Sequence, residues 1–454
     1  MNNNLGTSAN RPTLWSRARD MAQKAPPERN RYVDFLRALS ILAVVVGHWL
    51  VAAPYIRDGV VVGGHLLGII PWTQWLTLGF QVMPIFFLVG GFSNAMSWSA
   101  NRHKGGTYSE WFTGRMQRLV NPVLPLVVVW TLVALVATAF GVSRAIVQMA
   151  TQLALIPVWF LAVYLLVAAV VPFSHALWVR LGIGSFGLFV AGAIVIDAMT
   201  LHFHVPYVNF INFAFVWLAI HQLGYAWQSG HFALPSHAML WAIGGALALA
   251  LLVQFGPYPV AMIGVPGEPL SNSMPPTLAL LSLGIMQTGI ALALESAGRR
   301  MLDSIGVWTA TVLVNGMIMT GYLWHLTAFV LVMIAAWLLG GVGLSVSPGT
   351  SAWWLARPLW FALYIVTLLP LILLFARFER ASPGLTGKDE DQALPLWRLI
   401  TGLVLICIGL GATAAFSIAS PLGVTGVRLW IVVLPFVGAA LIRFGPAYTL
   451  LKKA

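Results

Sequence analysis

The chain has 454 residues, of which 59% are hydrophobic and 8% charged, with a mean hydropathy of +0.85. A soluble domain carries about 25% charged residues, so the composition excludes a soluble globular protein and leaves no long polar segment for a separate soluble domain. The formal net charge of +12 raises nucleic acid as a partner, and the placement of those charges argues against it below.

The first 30 residues are polar and basic, and the apolar run after them is too long for a signal-peptide core. They are expected to form a disordered cytoplasmic tail ahead of a first membrane helix. That helix opens with RYVDFLRALSILAVVVGHW, Arg31 to Trp49, and carries Asp34, Arg37 and His48 in an apolar run. Ionisable groups inside a span are costly and usually mark a functional path. Arg37 and His48 are 11 residues apart. That spacing puts them about 20° off one helix face and about 16 Å apart along the axis. A shared water-accessible tunnel would join them. Asp34 and Arg37 lie one turn apart and can pair. The plainer alternative is a snorkelling Arg37, a structural Asp34 and an interfacial His48. An imidazole titrates near neutrality, so His48 suits a general base.

The second predicted span contains MPIFFLVGGFSNA, Met83 to Ala95, whose Gly90 and Gly91 permit close helix contact or close approach of a ligand. The following loop ends in WFTGRMQRLVNP, with Arg115 and Arg118 three residues apart on one helix side at the mouth of the third span. Two guanidiniums there suit phosphate groups, or serve as ordinary loop charge or lipid-headgroup contacts. The fifth span ends in DAMTLHFH. Asp197, His202 and His204 match no familiar metal spacing, so no metal is expected and a polar lining for an external substrate is the better reading. The ninth span holds YLWHL, Tyr322 to Leu326. Its His325 is either functional or a core histidine bonded to a backbone carbonyl. Gly316 and Gly321 in the same run point to a kink or break. The single cysteine, Cys407, cannot form an intramolecular disulfide and reads as a buried small residue.

Twelve apolar spans of about 18 residues or more are predicted, near 33–54, 73–98, 119–140, 153–174, 182–201, 207–227, 238–256, 276–297, 309–340, 353–376, 396–418 and 427–446. With the N-terminus in the cytoplasm, 20 of the 25 Lys and Arg fall on the cytoplasmic side. Arg57, Arg144, Arg357 and Arg428 fall outside, and Arg37 lies within the first span. This is the positive-inside asymmetry, and it explains the basic balance without a nucleic-acid partner. No nucleophile elbow, phosphate loop, zinc helix or CxxC pair is present.

Taken in order, these elements resemble acyltransferase family 3 of integral membrane proteins. The carrying residues are Asp34 and Arg37, then His48 with ten residues between it and Arg37; FFLVGGF, Phe86 to Phe92; Arg115 and Arg118; Trp159, Phe160 and Leu161; and Tyr322, Leu323 and His325. Gly90 stands where the family usually has Ser. The order and approximate spacing hold over residues 28–378.

The resemblance implies an all-α polytopic transmembrane helical bundle, with a ten-helix acyltransferase-like core plus two C-terminal helices. The expected layout is a tail at 1–30, an acyltransferase-like domain at 31–378, a cytoplasmic linker at 379–395 and an additional helix pair at 396–454. It further implies O-acyl transfer, acetyl above all, from cytoplasmic acyl-CoA to a hydroxyl of an envelope or exported carbohydrate or glycolipid. His48, Arg37 and Asp34 would be catalytic, and Arg115 and Arg118 would hold the donor. His325, Tyr322 and Trp159 are further candidates. Acyl-CoA would be a substrate, with no permanently bound cofactor. The expected location is the cell membrane among its lipids, with both termini cytoplasmic. The competing reading is a twelve-span transporter or flippase, against which stand the scarcity of intramembrane carboxylates and the absence of a visible repeat.

Overall fold

A computed structural model describes residues 13–26, 28–379, 394–421, 425–445 and 448. In hydrocarbon each backbone polar group must be paired within its own segment, so the apolar runs form helices. Those of eight residues or more are α1 (Leu14–Gln23), α2 (Arg31–Val51), α3 (Met83–His103), α4 (Tyr108–Val120), α5 (Val123–Ala139), α6 (Arg144–Leu155), α7 (Val158–Ala169), α8 (Val171–Leu181) and α9 (Ile183–Leu201). They continue with α10 (Asn212–Gln228), α11 (Pro235–Phe255), α12 (Leu278–Ala293), α13 (Glu295–Leu302), α14 (Ile305–Asn315), α15 (Ile318–Leu338), α16 (Ser351–Phe375), α17 (Leu396–Phe416) and α18 (Leu429–Leu441). The one sheet among the described residues is a hairpin, β1 (Tyr55–Arg57) with β2 (Val60–Val62).

Eight helical segments are long and apolar enough to cross a membrane, and ten if the bent pairs α6–α7 (40°) and α12–α13 (52°) each count once. The remaining two of the twelve expected spans are shorter. The sixth is α10, with 17 residues, and its buried Asn212, His221 and Gln222 dilute its apolar character. The last is α18, with 13 residues, followed by Arg443 in a left-handed conformation. The ninth expected span is broken: α14 stops at Asn315, Gly316 and Met317 intervene, and α15 restarts at Ile318. Gly321 lies within α15 and interrupts nothing.

The tail expected to be disordered contains α1. Thr13 Oγ1 accepts from Ser16 N at 3.1 Å and caps it. Ala18 and Ala22, four residues apart on one face, are buried, and Trp308 Nε1 of α14 donates to the Ala22 carbonyl at 3.0 Å. The expected linker at 379–395 falls mostly outside the described residues, as do Lys452 and Lys453. The C-terminal pair α17 and α18 packs together, and Cys407 of α17 contacts the Ala162 carbonyl of α7 at 3.6 Å.

Close helix contact at the second span is real. Gly91 of α3 faces Gly224 of α10, and a Cβ on either would run into the other helix's backbone. Gly90 faces a ring instead: a Cβ there would lie 3.0 Å from Tyr164 Cε2 and 3.1 Å from its hydroxyl.

Asp197 does not line an external surface. It is 4% exposed, and its carboxylate accepts from Asn212 Nδ2 at 2.7 Å, Tyr258 OH at 2.7 Å and Leu278 N at 2.9 Å. It ties α10, the segment after α11 and the start of α12 to α9. Asp197→Asn is expected to cost about 1–3 kcal/mol, because the amide turns a donor toward at least one of these donors. A thermal unfolding scan unchanged from wild type would reject this role. His202 and His204 are exposed, and no cluster of three or more His, Cys, Asp or Glu able to hold a metal occurs among the described residues.

Candidate active site

His48 sits near the C-terminal end of α2 and His325 two turns into α15. The structure brings them together. His48 Nδ1 lies 2.9 Å from His325 Nε2, with the rings parallel within 5° and centroids 5.1 Å apart. His325 Nδ1 lies 2.5 Å from the Tyr322 carbonyl oxygen. A carbonyl only accepts, so His325 Nδ1 carries hydrogen. In the neutral ring Nε2 is then an acceptor, and His48 Nδ1 must donate to it. His48 Nε2 is left with a free lone pair. His325 is fully enclosed, whereas His48 keeps partial exposure. His325 thus makes the backbone bond expected of a core histidine, and it also contacts His48, which its own span did not announce.

Helix α15 is fixed on several sides of this pair. Trp49 Nε1 donates to the His325 carbonyl at 3.0 Å. Tyr322 OH donates to the Pro157 carbonyl at 2.8 Å, in the break between α6 and α7. Trp130 Nε1 donates to Thr327 Oγ1 at 2.9 Å. At its N-terminus, Glu379 accepts from Met319 N, Thr320 N and Thr320 Oγ1, at 3.0, 3.0 and 2.7 Å. The two backbone N–H groups are orphan donors left by the break at Gly316, and a carboxylate there also complements the helix dipole. Burial pushes the Glu379 carboxyl up, and the three hydrogen bonds pull it back.

The other end of α2 is cationic. Asp34, 6% exposed, accepts from Arg29 Nε at 2.6 Å and Arg37 Nη1 at 3.2 Å. The expected pair is therefore a triad. Arg37 Nη2 also donates to Ser93 Oγ at 3.1 Å. Arg115 reaches the same residue through its carbonyl at 3.4 Å, and Ser97 Oγ at 2.5 Å, while stacking on Trp111 at 4.8 Å. Ser93 thus joins Arg37 to Arg115. Arg118 is exposed and makes no such inward contact among the described residues. No carboxylate pairs with Arg115 or Arg118 among the described residues, so this end carries excess positive charge.

Arg37 and His48 turn to different neighbours, Ser93 and His325. Helix α2 is unbroken between them, so they stay on one face about 16 Å apart. The strip joining them is filled. Ile41 is 5% exposed and Val44 is half-buried against the core. Two hollows of about 400 and 410 Å³ lie elsewhere, beside His231 and Trp241 and beside Gln148 and Gln152. The expected open tunnel is thus not what fills this face. Trp159 lies apart from the histidines, half-buried against Phe160 and Phe213. Its neighbour Phe160 packs edge-on against Tyr322.

One buried imidazole escaped the sequence reading. His221 of α10 is fully enclosed, with Nε2 2.9 Å from Asn94 Nδ2. A histidine in the run FVWLAIHQLGYAW was the available signal.

A family model described as an acyltransferase domain matches residues 30–377. No curated protein and no solved structure matches the chain. The matched stretch takes in Asp34, Arg37, Arg115 and the histidine pair with the helices that carry them, starts just after Arg29, and stops short of α17 and α18. The chain therefore belongs to acyltransferase family 3 and is a multi-pass membrane O-acyltransferase.

Proposed function

We propose that the protein moves an acyl group, acetyl in the simplest case, from cytoplasmic acyl-CoA to a hydroxyl of an envelope or exported carbohydrate. It does so in the cell membrane, with both termini in the cytoplasm. The positive-inside count supports that orientation, and it puts the Arg29–Asp34–Arg37 and Arg115 cluster on the donor side. Arg115, Arg118 and Arg37 meet the phosphates of coenzyme A, and Asp34 keeps Arg37 in place. The thioester arm follows the face of α2 toward His48, displacing Ile41 and Val44.

The hydrogen-bond chain from Tyr322 through His325 to His48 is the observation that carries the reading, because it leaves His48 Nε2 unprotonated. Nε2 takes the proton of the acceptor hydroxyl while that oxygen attacks the thioester carbonyl. The C–O bond forms, the C–S bond breaks, and the coenzyme A thiolate recovers the proton from the imidazolium. A variant route passes the acyl group through Nε2 itself. His325 holds the His48 tautomer in either route.

The test is transfer of label from radiolabelled acetyl-CoA to candidate glycans by the purified full chain. Label that never leaves the donor, with every acceptor class tried, would reject the reading. Arg115→Ala is expected to weaken acetyl-CoA binding about tenfold, the value of one charge-assisted contact. Arg118→Ala, at the exposed position, should do less. Equal affinities across wild type and both variants would reduce these arginines to topology charges.

A further inference from the structure

Arg357 was expected on the outer side, near the start of the tenth predicted span, and it lies seven residues into α16. The buried face of that helix is the stripe Trp353, Arg357, Trp360, Tyr364 and Leu368, which repeats at helical spacing. The opposite face is open, with Leu355 82%, Leu359 65% and Val366 66% exposed. Arg357 is therefore an inward-facing cation in a helix otherwise turned toward lipid, and it is 9% exposed. Such a residue is a functional candidate by default.

Its surroundings do not neutralise it. The guanidinium stacks 4.0 Å from the Trp353 ring centroid and 5.7 Å from that of Trp360. Its Nε is buried without a hydrogen-bond partner, and the Tyr364 hydroxyl is its polar neighbour. Among the described residues no carboxylate pairs with it. A buried charge without a counter-charge is costly, and aromatic stacking offsets only part of that. The other arginines expected outside have local partners. Arg57 sits beside Asp58, Arg144 donates to the Pro421 carbonyl, and Arg428 donates to the carbonyls of Phe416 and Ser417.

Arg357 also sits at the right end of the molecule. Trp353 packs with Leu50 and Ala53, just past His48. Tyr364 lies 5.3 Å from Trp49, whose indole bonds to the His325 carbonyl, and 5.2 Å from Phe329 of α15. The cover over this stripe is the glycine-rich connection between α15 and α16. Its Gly343 abuts Trp360, and Ile56 N of the hairpin donates to the Leu344 carbonyl at 2.7 Å. Cationic groups thus flank the histidine pair at both ends of α2.

We propose that Arg357 is an oxyanion subsite at the His48 end, which takes a carboxylate or phosphate on the acceptor. This rests on the proposed acyl transfer and narrows the acceptor to an anionic carbohydrate, a sugar acid or a glycosyl phosphate. A lipid headgroup carries the same phosphate chemistry, and the test separates the two. The full chain in phosphatidylcholine nanodiscs is titrated calorimetrically with methyl glucuronide, glucose 1-phosphate and neutral methyl glucoside, as wild type, Arg357→Gln and Arg357→Lys. Acetyl-CoA binding is measured in parallel as a reading of fold and donor site.

One of the anionic sugars should bind wild type about tenfold or more tighter than the neutral one. Arg357→Gln should abolish that preference with acetyl-CoA binding unchanged. Arg357→Lys, which keeps charge for folding but loses the planar fork, should retain part of it. If a lipid phosphate is the occupant, discs containing phosphatidylglycerol will raise the unfolding temperature of wild type but not of Arg357→Gln. No anion preference and no phosphatidylglycerol response in wild type would overturn the proposal, as would a preference kept at full strength by either variant. Because each readout is binding, this failure is distinct from failure of acyl transfer.

Discussion

Replacing His48 with Ala is expected to reduce acyl transfer about 10³-fold, the usual contribution of a positioned general base, while the protein still assembles. His48 is the less buried member of the pair, and its Nε2 is the one ring nitrogen of the two imidazoles not already engaged by Tyr322 or the partner ring. Helix α2 does not depend on it for placement. Trp49 bonds to the His325 carbonyl, Tyr32 OH donates to the Ala291 carbonyl at 2.6 Å, and Asn30 caps the N-terminus. The variant leaves His325 Nε2 without a donor, which costs about 1–3 kcal/mol, too little to unfold a protein of this size by itself. His325→Ala should leave the base in place but free its tautomer and orientation, lowering transfer roughly 100-fold or more. Label transfer from acetyl-CoA, with gel filtration as the fold control, measures both. Near-normal transfer by His48→Ala would remove the imidazole from the chemistry.

Composition made the all-α membrane class legible, and the runs of hydropathy found the helices. What they missed follows from physics that hydropathy does not contain. Helix α1 is polar on average and passes as a tail. Only the Thr13 cap and the four-residue spacing of Ala18 and Ala22 mark its buried side. Asp34 with Arg37 was legible because a one-turn pair is local, whereas Arg29 joins from outside the helix. His48 and His325 were each visible as costly residues in spans. Their union across 277 positions depends on how α2 meets α15, which no spacing encodes. Arg115 and Arg118 looked equivalent three residues apart. Packing sends Arg115 inward to Ser93 and leaves Arg118 outside. Asp197 looked like a substrate-facing carboxylate, yet three donors from distant segments converge on it, and that convergence is a tertiary fact. Arg357 was counted as outer-side charge within its predicted span, and its inward turn between Trp353 and Trp360 depends on which face of α16 meets the bundle, which hydropathy does not encode.

Ile41→Trp is expected to abolish transfer while acetyl-CoA still binds. Ile41 and Val44 occupy the face of α2 between the arginine cluster and His48, so any arm reaching from one to the other must pass them. The larger indole removes the freedom to give way. Overpacking costs about 1–3 kcal/mol, so a smaller change serves as its counterpart. Ile41→Ala widens the strip and should keep or raise turnover despite a comparable loss of stability. The two variants separate a blocked path from a damaged fold, since both destabilise but only one obstructs. Binding is read at the arginine end and transfer at the histidine end, so the obstruction appears as intact affinity with lost turnover. Equal activity in Ile41→Trp and Ile41→Ala would mean that the donor approaches His48 by another face of the bundle. The arginines and the histidines would then belong to separate sites.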